Sequence, residues 1–165
     1  MSNSTHYSYF TGSLSFLNDI CNYADIKNNA DLCSRVGGLT EDRLQEMNRT
    51  GDISIHDLIV IATSLGITVT AKMENKSSKN VKFERTDISE SLIVLRLLAL
   101  GLSDYEQTTE KQVGLTPKEL ITAIKSLTLS LNHLKVLTQC LDLSYRMRFH
   151  SVLRPVDEDI TFDLN

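Results

Sequence analysis

Two stretches, GLTEDRLQEMNR at 38–49 and GLTPKELITAIKS at 114–126, gather the side chains of this sequence best suited to directed polar contacts. In the first, Thr40, Arg43, Gln45 and Arg49 offer a hydroxyl, two guanidinium forks and an amide. In the second, Thr116, Lys118, Thr122 and Lys125 offer two hydroxyls and two ammonium groups. Arg and Gln pair bidentately with guanine and adenine edges, whereas Thr, Lys and Arg hold phosphate oxygens. Each of the eight also suits an ordinary helix cap or a solvated surface. Catalysis has no comparable support. His56, His133 and His150 lack metal-ligand spacing, Cys140 and His133 make no nucleophile pair, and no phosphate-binding glycine loop, nucleophile elbow or paired-carboxylate motif occurs. Cys21, Cys33 and Cys140 are an odd number without CxxC spacing and lie in apolar helical patterns, so they read as buried free thiols. The expectation is a non-enzymatic protein with no cofactor and no metal site.

The elements that must position these residues follow from length and pattern. The 165 residues, 41% hydrophobic, allow one domain or two small ones of about 80 residues. No Trp, two Pro and seven Gly favour helices over a turn-rich all-β fold. The sequence has no run of 18 apolar residues and opens on MSNSTHYSYFTGSLSFL, without a basic n-region and apolar h-region. A cytoplasmic protein without a membrane span is expected. The net charge of −4 is unevenly spread, with −4 over 1–70, +3 over 71–86, −2 over 87–126, +3 over 127–154 and −4 over 155–165.

Sliding the chain by 76 aligns 35–73 with 111–149 without a gap, and eight of the 39 pairs are identical, among them Gly38/Gly114, Thr40/Thr116, Ser54/Ser130 and Leu65/Leu141. The identities fall on core or capping positions, so the chain reads as a tandem duplication. Each copy begins with an apolar helical stretch, Phe16, Leu17, Ile20, Cys21 and Ala24 in one and Leu92, Ile93, Leu95, Leu97 and Leu98 in the other. A second helix carries Leu32, Cys33 and Val36, and its counterpart enters at Ser103 to Glu106 with capping-box spacing. Gly38 or Gly114 supplies a left-handed turn, and Thr40 or Thr116 caps a third helix, with Pro117 in the first turn and Glu119 completing a capping box. A fourth helix starts at Ser54 or Ser130 and buries Leu58, Ile61, Ala62 and Leu65, or Leu134, Leu137 and Leu141.

The period then switches to two. Ile67, Val69, Ala71 and Met73 alternate with polar residues, as do Leu143, Tyr145, Met147 and Phe149. After ENKSSKN a second alternation at Val81 and Phe83 makes a hairpin, echoed by Ile160 and Phe162 after a turn at Arg154-Pro155. Lys72, Lys76, Lys79, Lys82 and Arg85 make this hairpin basic, for phosphate, an acidic partner or solvent alone. The expected organisation is a flexible N-terminus over 1–12, a first unit over 13–86 and a second over 87–165.

The segment ADLCSRVGGLTEDRLQEMNRTGDISIHDLIVIATSLGI resembles the lambda-repressor-like, xenobiotic-response-element-type helix-turn-helix family. The resemblance rests on Leu32-Cys33, Gly38, Thr40, Leu44, Gly51 and Ala62 to Gly66, spans roughly 14–73, and extends to the second copy by internal homology. There Leu127 replaces the closing glycine, and Thr108 and Thr109 stand where Leu and Ala are usual. The resemblance implies a mainly α fold of two tandem four-helix domains, each followed by a strand or hairpin. It further implies double-stranded DNA as partner, with Thr40, Arg43, Gln45, Arg49, Thr116, Lys118, Thr122 and Lys125 as DNA-binding residues. Family members read two half-sites about 34 Å apart as dimers, so the tandem is expected to act as a pseudo-dimer and a repressor. The alternative keeps the fold without DNA, as an anti-regulator or antitoxin-like module that binds a protein or a second copy through strands 67–74 and 143–150 or through apolar faces. A mixed form puts the first copy on DNA and uses the second for dimerisation.

Overall fold

Local chemistry starts and stops the helices at the expected signals. The computed structural model describes residues 6–75, 82–151 and 160–163. In chain order these form α1 (Phe16–Tyr23), α2 (Asn29–Arg35), α3 (Glu41–Thr50), α4 (Ile55–Ser64), β1 (Ile67–Asn75), β2 (Lys82–Asp87) and α5 (Ile88–Leu100). They continue with α6 (Glu110–Val113), α7 (Pro117–Ser126), α8 (Leu131–Cys140), β3 (Leu143–Ser151) and β4 (Ile160–Asp163). The chain is thus mainly helical with a small antiparallel sheet, in strand order β2-β1-β3-β4. Gly38 and Gly114, both at φ +81, make the left-handed turns before α3 and α7. Thr40 and Thr116 cap those helices, and the box between Thr116 and Glu119 is complete. Leu127 holds the left-handed closing position at φ +60, where α3 ends on Gly51 at φ +67.

Two compact units emerge, and most of β1 falls in the same unit as β2. The first comprises Met1–Ile53, Asp57–Thr68 and Phe149–Ile160; the second comprises Ser54–His56, Val69–Arg148 and Thr161–Asn165. Strand pairing is the reason, because β1 pairs antiparallel with β2, from Thr70↔Asp87 to Glu74↔Lys82 with an irregularity between Ala71 and Met73.

In the first unit Leu17, Ile20, Leu32, Leu44, Leu58, Ile61 and Ala62 form the core, and Phe16 stacks on Phe149 with centroids 5.8 Å apart. Of the N-terminus expected to be flexible over 1–12, Tyr7 and Phe10 are buried to 3% exposure. Residues 1–5 of that expectation lie outside the described residues.

The second unit buries Leu92, Leu95, Leu120, Ile124, Leu134, Leu137, Tyr145 and Met147. Strand residues 67, 69, 71, 73 and 143, 145, 147, 149 are all buried, as their period requires. In the sheet β1 lies between β2 and β3, and β3 between β1 and β4. On α5 only one of several apolar faces is used, leaving Ile93, Leu97 and Leu98 at 45, 62 and 38% exposure. Ser103 to Glu106 form no capping box; a π-helical turn at Tyr105–Thr109 precedes α6, and Asp104 makes no side-chain cap. Thr109 and Val113 are buried as Leu32 and Val36 are, four residues apart, which leaves Gly37 of the first copy without a counterpart before Gly114. An antiparallel bridge joins Ser54 to Ser130, and Leu129 O accepts from Ile55 N at 2.8 Å. The turns at ENKSSKN and Arg154-Pro155, and Val81, lie largely or wholly outside the described residues.

Candidate nucleic-acid interface

On α3 the expected contacts are mostly engaged with the protein itself. Thr40 Oγ1 accepts from Arg43 N at 3.2 Å, the cap that begins the helix. Arg43 Nη2 donates to Asp57 Oδ2 at 2.6 Å, with the side chains 54% and 20% exposed. Arg49 Nε donates to Glu46 Oε2 at 3.0 Å, and its Nη2 donates to Oε1. This pairing holds the Glu46 carboxyl below its usual range and raises the Arg49 guanidinium. Gln45 is exposed. Surface ion pairs contribute only about 0–1 kcal/mol, so a phosphate or base edge can take Arg43 from Asp57 at little cost. The acidic partner then stays beside the ligand, and that is the larger penalty.

On α7 the arrangement differs. Thr116 is absorbed by the capping box, accepting from Glu119 N at 3.1 Å while Thr116 N donates to Glu119 Oε1 at 3.1 Å. These bonds to the Thr116 backbone and side chain hold the Glu119 carboxyl below its usual range. Lys118, Thr122 and Lys125 are all exposed. Their i, i+4, i+7 spacing sets them on one helical face. The Thr122 hydroxyl donates to Lys118 O at 3.1 Å and keeps acceptor capacity, whereas Ser126 Oγ donates to Thr122 O at 2.8 Å and so accepts from Thr128 Oγ1, 2.8 Å away.

The same face of α3, read at the repeat offset, carries Asp42, Glu46 and Arg49. Helix α3 thus sets three carboxylates against two arginines, and α7 sets two lysines against one carboxylate. Of the eight expected residues, Thr40 and Thr116 are thus helix caps, Arg43 and Arg49 are paired with carboxylates, and Gln45, Lys118, Thr122 and Lys125 are exposed. The signal was present in the aligned repeats as Lys118 over Asp42 and Thr122 over Glu46. Lys111 is exposed on α6, in the helix before this turn.

Other chemistry is sparse. Lys72 Nζ lies 3.6 Å from Glu74 Oε1, so the basic hairpin is partly neutralised there; Lys76 and Lys79 lie outside the described residues, as do the side chains of Lys82 and Arg85. Burial pushes the Cys21 thiol up to about 12 and raises Cys33 and Cys140. Cys21 is buried as expected, whereas Cys33 and Cys140 are only half-buried and Cys140 Sγ donates to Gln112 Oε1 at 3.1 Å. Among the described residues no group of three His, Cys, Asp or Glu could hold a metal ion, and no helix is long and apolar enough to cross a membrane. No family model matches the chain, nor does any curated protein or solved structure.

Proposed function

We propose that the chain is a sequence-specific DNA-binding transcriptional regulator of helix-turn-helix type, with α7 of the second copy as its main reading helix. The observation that carries this is the exposed face of Lys118, Thr122 and Lys125 on a helix begun by a capped threonine after a left-handed glycine. Such a helix presents cationic donors to phosphates and hydroxyls to base edges in the major groove. Local positive charge matters here, because the chain as a whole carries −4. Helix α3 contributes Gln45 and, once released from Asp57, Arg43. The pseudo-dimer draws support from the Ser54↔Ser130 bridge, which pairs the same position of the two copies antiparallel, as a local two-fold would. It draws further support from β1 and β3 being neighbours in the sheet. Repression by occupying a promoter is the simplest mechanism for such a reader.

A second reading, a protein-binding module that has lost DNA, is favoured by Asp42 and Glu46 on the corresponding face of α3. Selection from a random duplex library at low salt separates the two. The regulator enriches a motif that Thr122→Ala blurs in one half-site, while Lys118→Ala/Lys125→Ala weakens binding to all sequences alike; no enrichment at any salt removes the DNA reading.

A further inference from the structure

The first unit grips its own N-terminal segment in an unusual way. Residues 7–11 have no regular secondary structure and run back along α1, so that Tyr7 lies at Asn22 and Phe10 at Asn18. Asn22 Oδ1 accepts from Tyr7 N at 2.7 Å and its Nδ2 donates to Tyr7 O at 2.9 Å. Asn18 does the same for Phe10, at 2.9 and 2.7 Å. Asn48, on α3, accepts from Thr11 N at 3.0 Å and donates to Tyr9 O at 3.2 Å. A fourth asparagine, Asn29 at the start of α2, accepts from the Tyr7 hydroxyl at 2.6 Å.

A side-chain amide offers one acceptor and two donors, so it can imitate the edge of a neighbouring strand. Three such amides here hold six main-chain groups of one five-residue segment. Recognition of this kind reads an extended backbone and tolerates many sequences, while side-chain pockets supply selectivity. The pockets are filled by Tyr7 and Phe10, three residues apart and each 3% exposed, with the Tyr9 ring edge-on to Phe10. These grips come from side chains, so withdrawing the segment breaks no main-chain bond of α1, α2 or α3. Gly12, at φ +60 with open space where a Cβ would stand, forms the joint between the segment and the turn into α1.

We propose that this asparagine-lined cleft is a docking site for an extended peptide from a partner protein, with aromatic side chains three residues apart and a hydroxyl on the first. Residues 7–11 are its built-in competitor. The site is independent of any role of α7.

The test uses the full chain carrying Tyr7→Ser and Phe10→Ser, and a labelled synthetic peptide of residues 6–12 as probe. The expected result is saturable micromolar binding, at least tenfold weaker to the wild type, whose own segment competes, and lost when Asn18→Ala and Asn22→Ala are added. A variant that keeps its helical circular dichroism yet binds no peptide overturns the proposal. Hydrogen exchange of the wild type decides the matter if that variant does not fold. The amides of Tyr7, Phe10 and Thr11 should then exchange at least tenfold faster than those of Leu17 and Ile20. Equal protection would make the segment part of the cooperative core and refute its release. A wild-type dimer that exchanges these segments would assign the site to a second copy and overturn the foreign-peptide assignment.

Discussion

Replacing both lysines of the α7 face, as Lys118→Ala/Lys125→Ala, tests the proposed interface most directly. Each cation that neutralises a phosphate contributes about 0.9 to the slope of log affinity against log salt. Losing two lowers that slope by about 1.8, so the fall in affinity between about 50 and about 200 mM salt shrinks roughly twelvefold. Both side chains are exposed, and the core residues of this helix are Leu120 and Ile124, so thermal stability should hardly move. Fluorescence anisotropy against the selected duplex at four or more salt concentrations gives the slopes. As a counter-test, Asp42→Lys places on α3 the charge that α7 carries at the same repeat position, and should steepen the slope by up to about 0.9. Parallel slopes for the wild type and the double alanine variant would show that this face does not touch phosphate, and the assignment of α7 would fall.

Further expectations concern the folded state. Ser91 Oγ donates to Ile88 O at 2.6 Å, so the hydroxyl of buried Tyr145, 2.6 Å away, must donate to Ser91. Ser91→Ala strands that phenol and should cost about 1–3 kcal/mol, more than the about 1 kcal/mol of Tyr145→Phe; a urea-denaturation cycle in which the tyrosine variant is the worse would contradict this. Thr116→Ala removes the cap of α7 and should cost about 1 kcal/mol in thermal denaturation, with no loss if the cap is irrelevant. Alkaline stability is set by groups whose burial raises their proton affinity, Cys21 to about 12 and the Tyr7 and Tyr145 phenols upward. The native state keeps these protons longer than the unfolded chain, so their stabilisation is whole below about pH 9 and is lost as pH rises toward and past about 12. Unfolding measured from pH 8 to 11 should show this decline, with its upper part flattened in Tyr145→Phe.

Much of the fold was legible because it depends on residues within a few positions of one another. The Thr40 and Thr116 caps, the left-handed Gly38 and Gly114, and the alternation of Ile67 to Met73 are local matters of donors, backbone freedom and period. The duplication carried them from one copy to the other, including Leu127 in a glycine's place. The uniformly apolar α5 was less legible, because ISESLIVLRLLAL satisfies the helical period on several faces, and its packing buries Leu92 and Leu95 while leaving Ile93 and Leu97 in solvent. The candidate site was half visible. Residue types named the eight polar side chains, but a sequence does not show that Arg43 reaches fourteen residues along to Asp57 while Lys118 and Lys125 stay open.

By itself, then, the sequence determined most helix starts, the glycine turns and the strand phase, written in intervals of two to four residues and echoed in the repeat of 76. Only the tertiary structure decided which strands neighbour one another, which charges cancel, and that Asn18, Asn22 and Asn48 close on residues 7–11. The asparagine contacts join residues up to 39 apart along the chain. A polar side chain carries no mark of a distant main-chain partner until packing brings the two together.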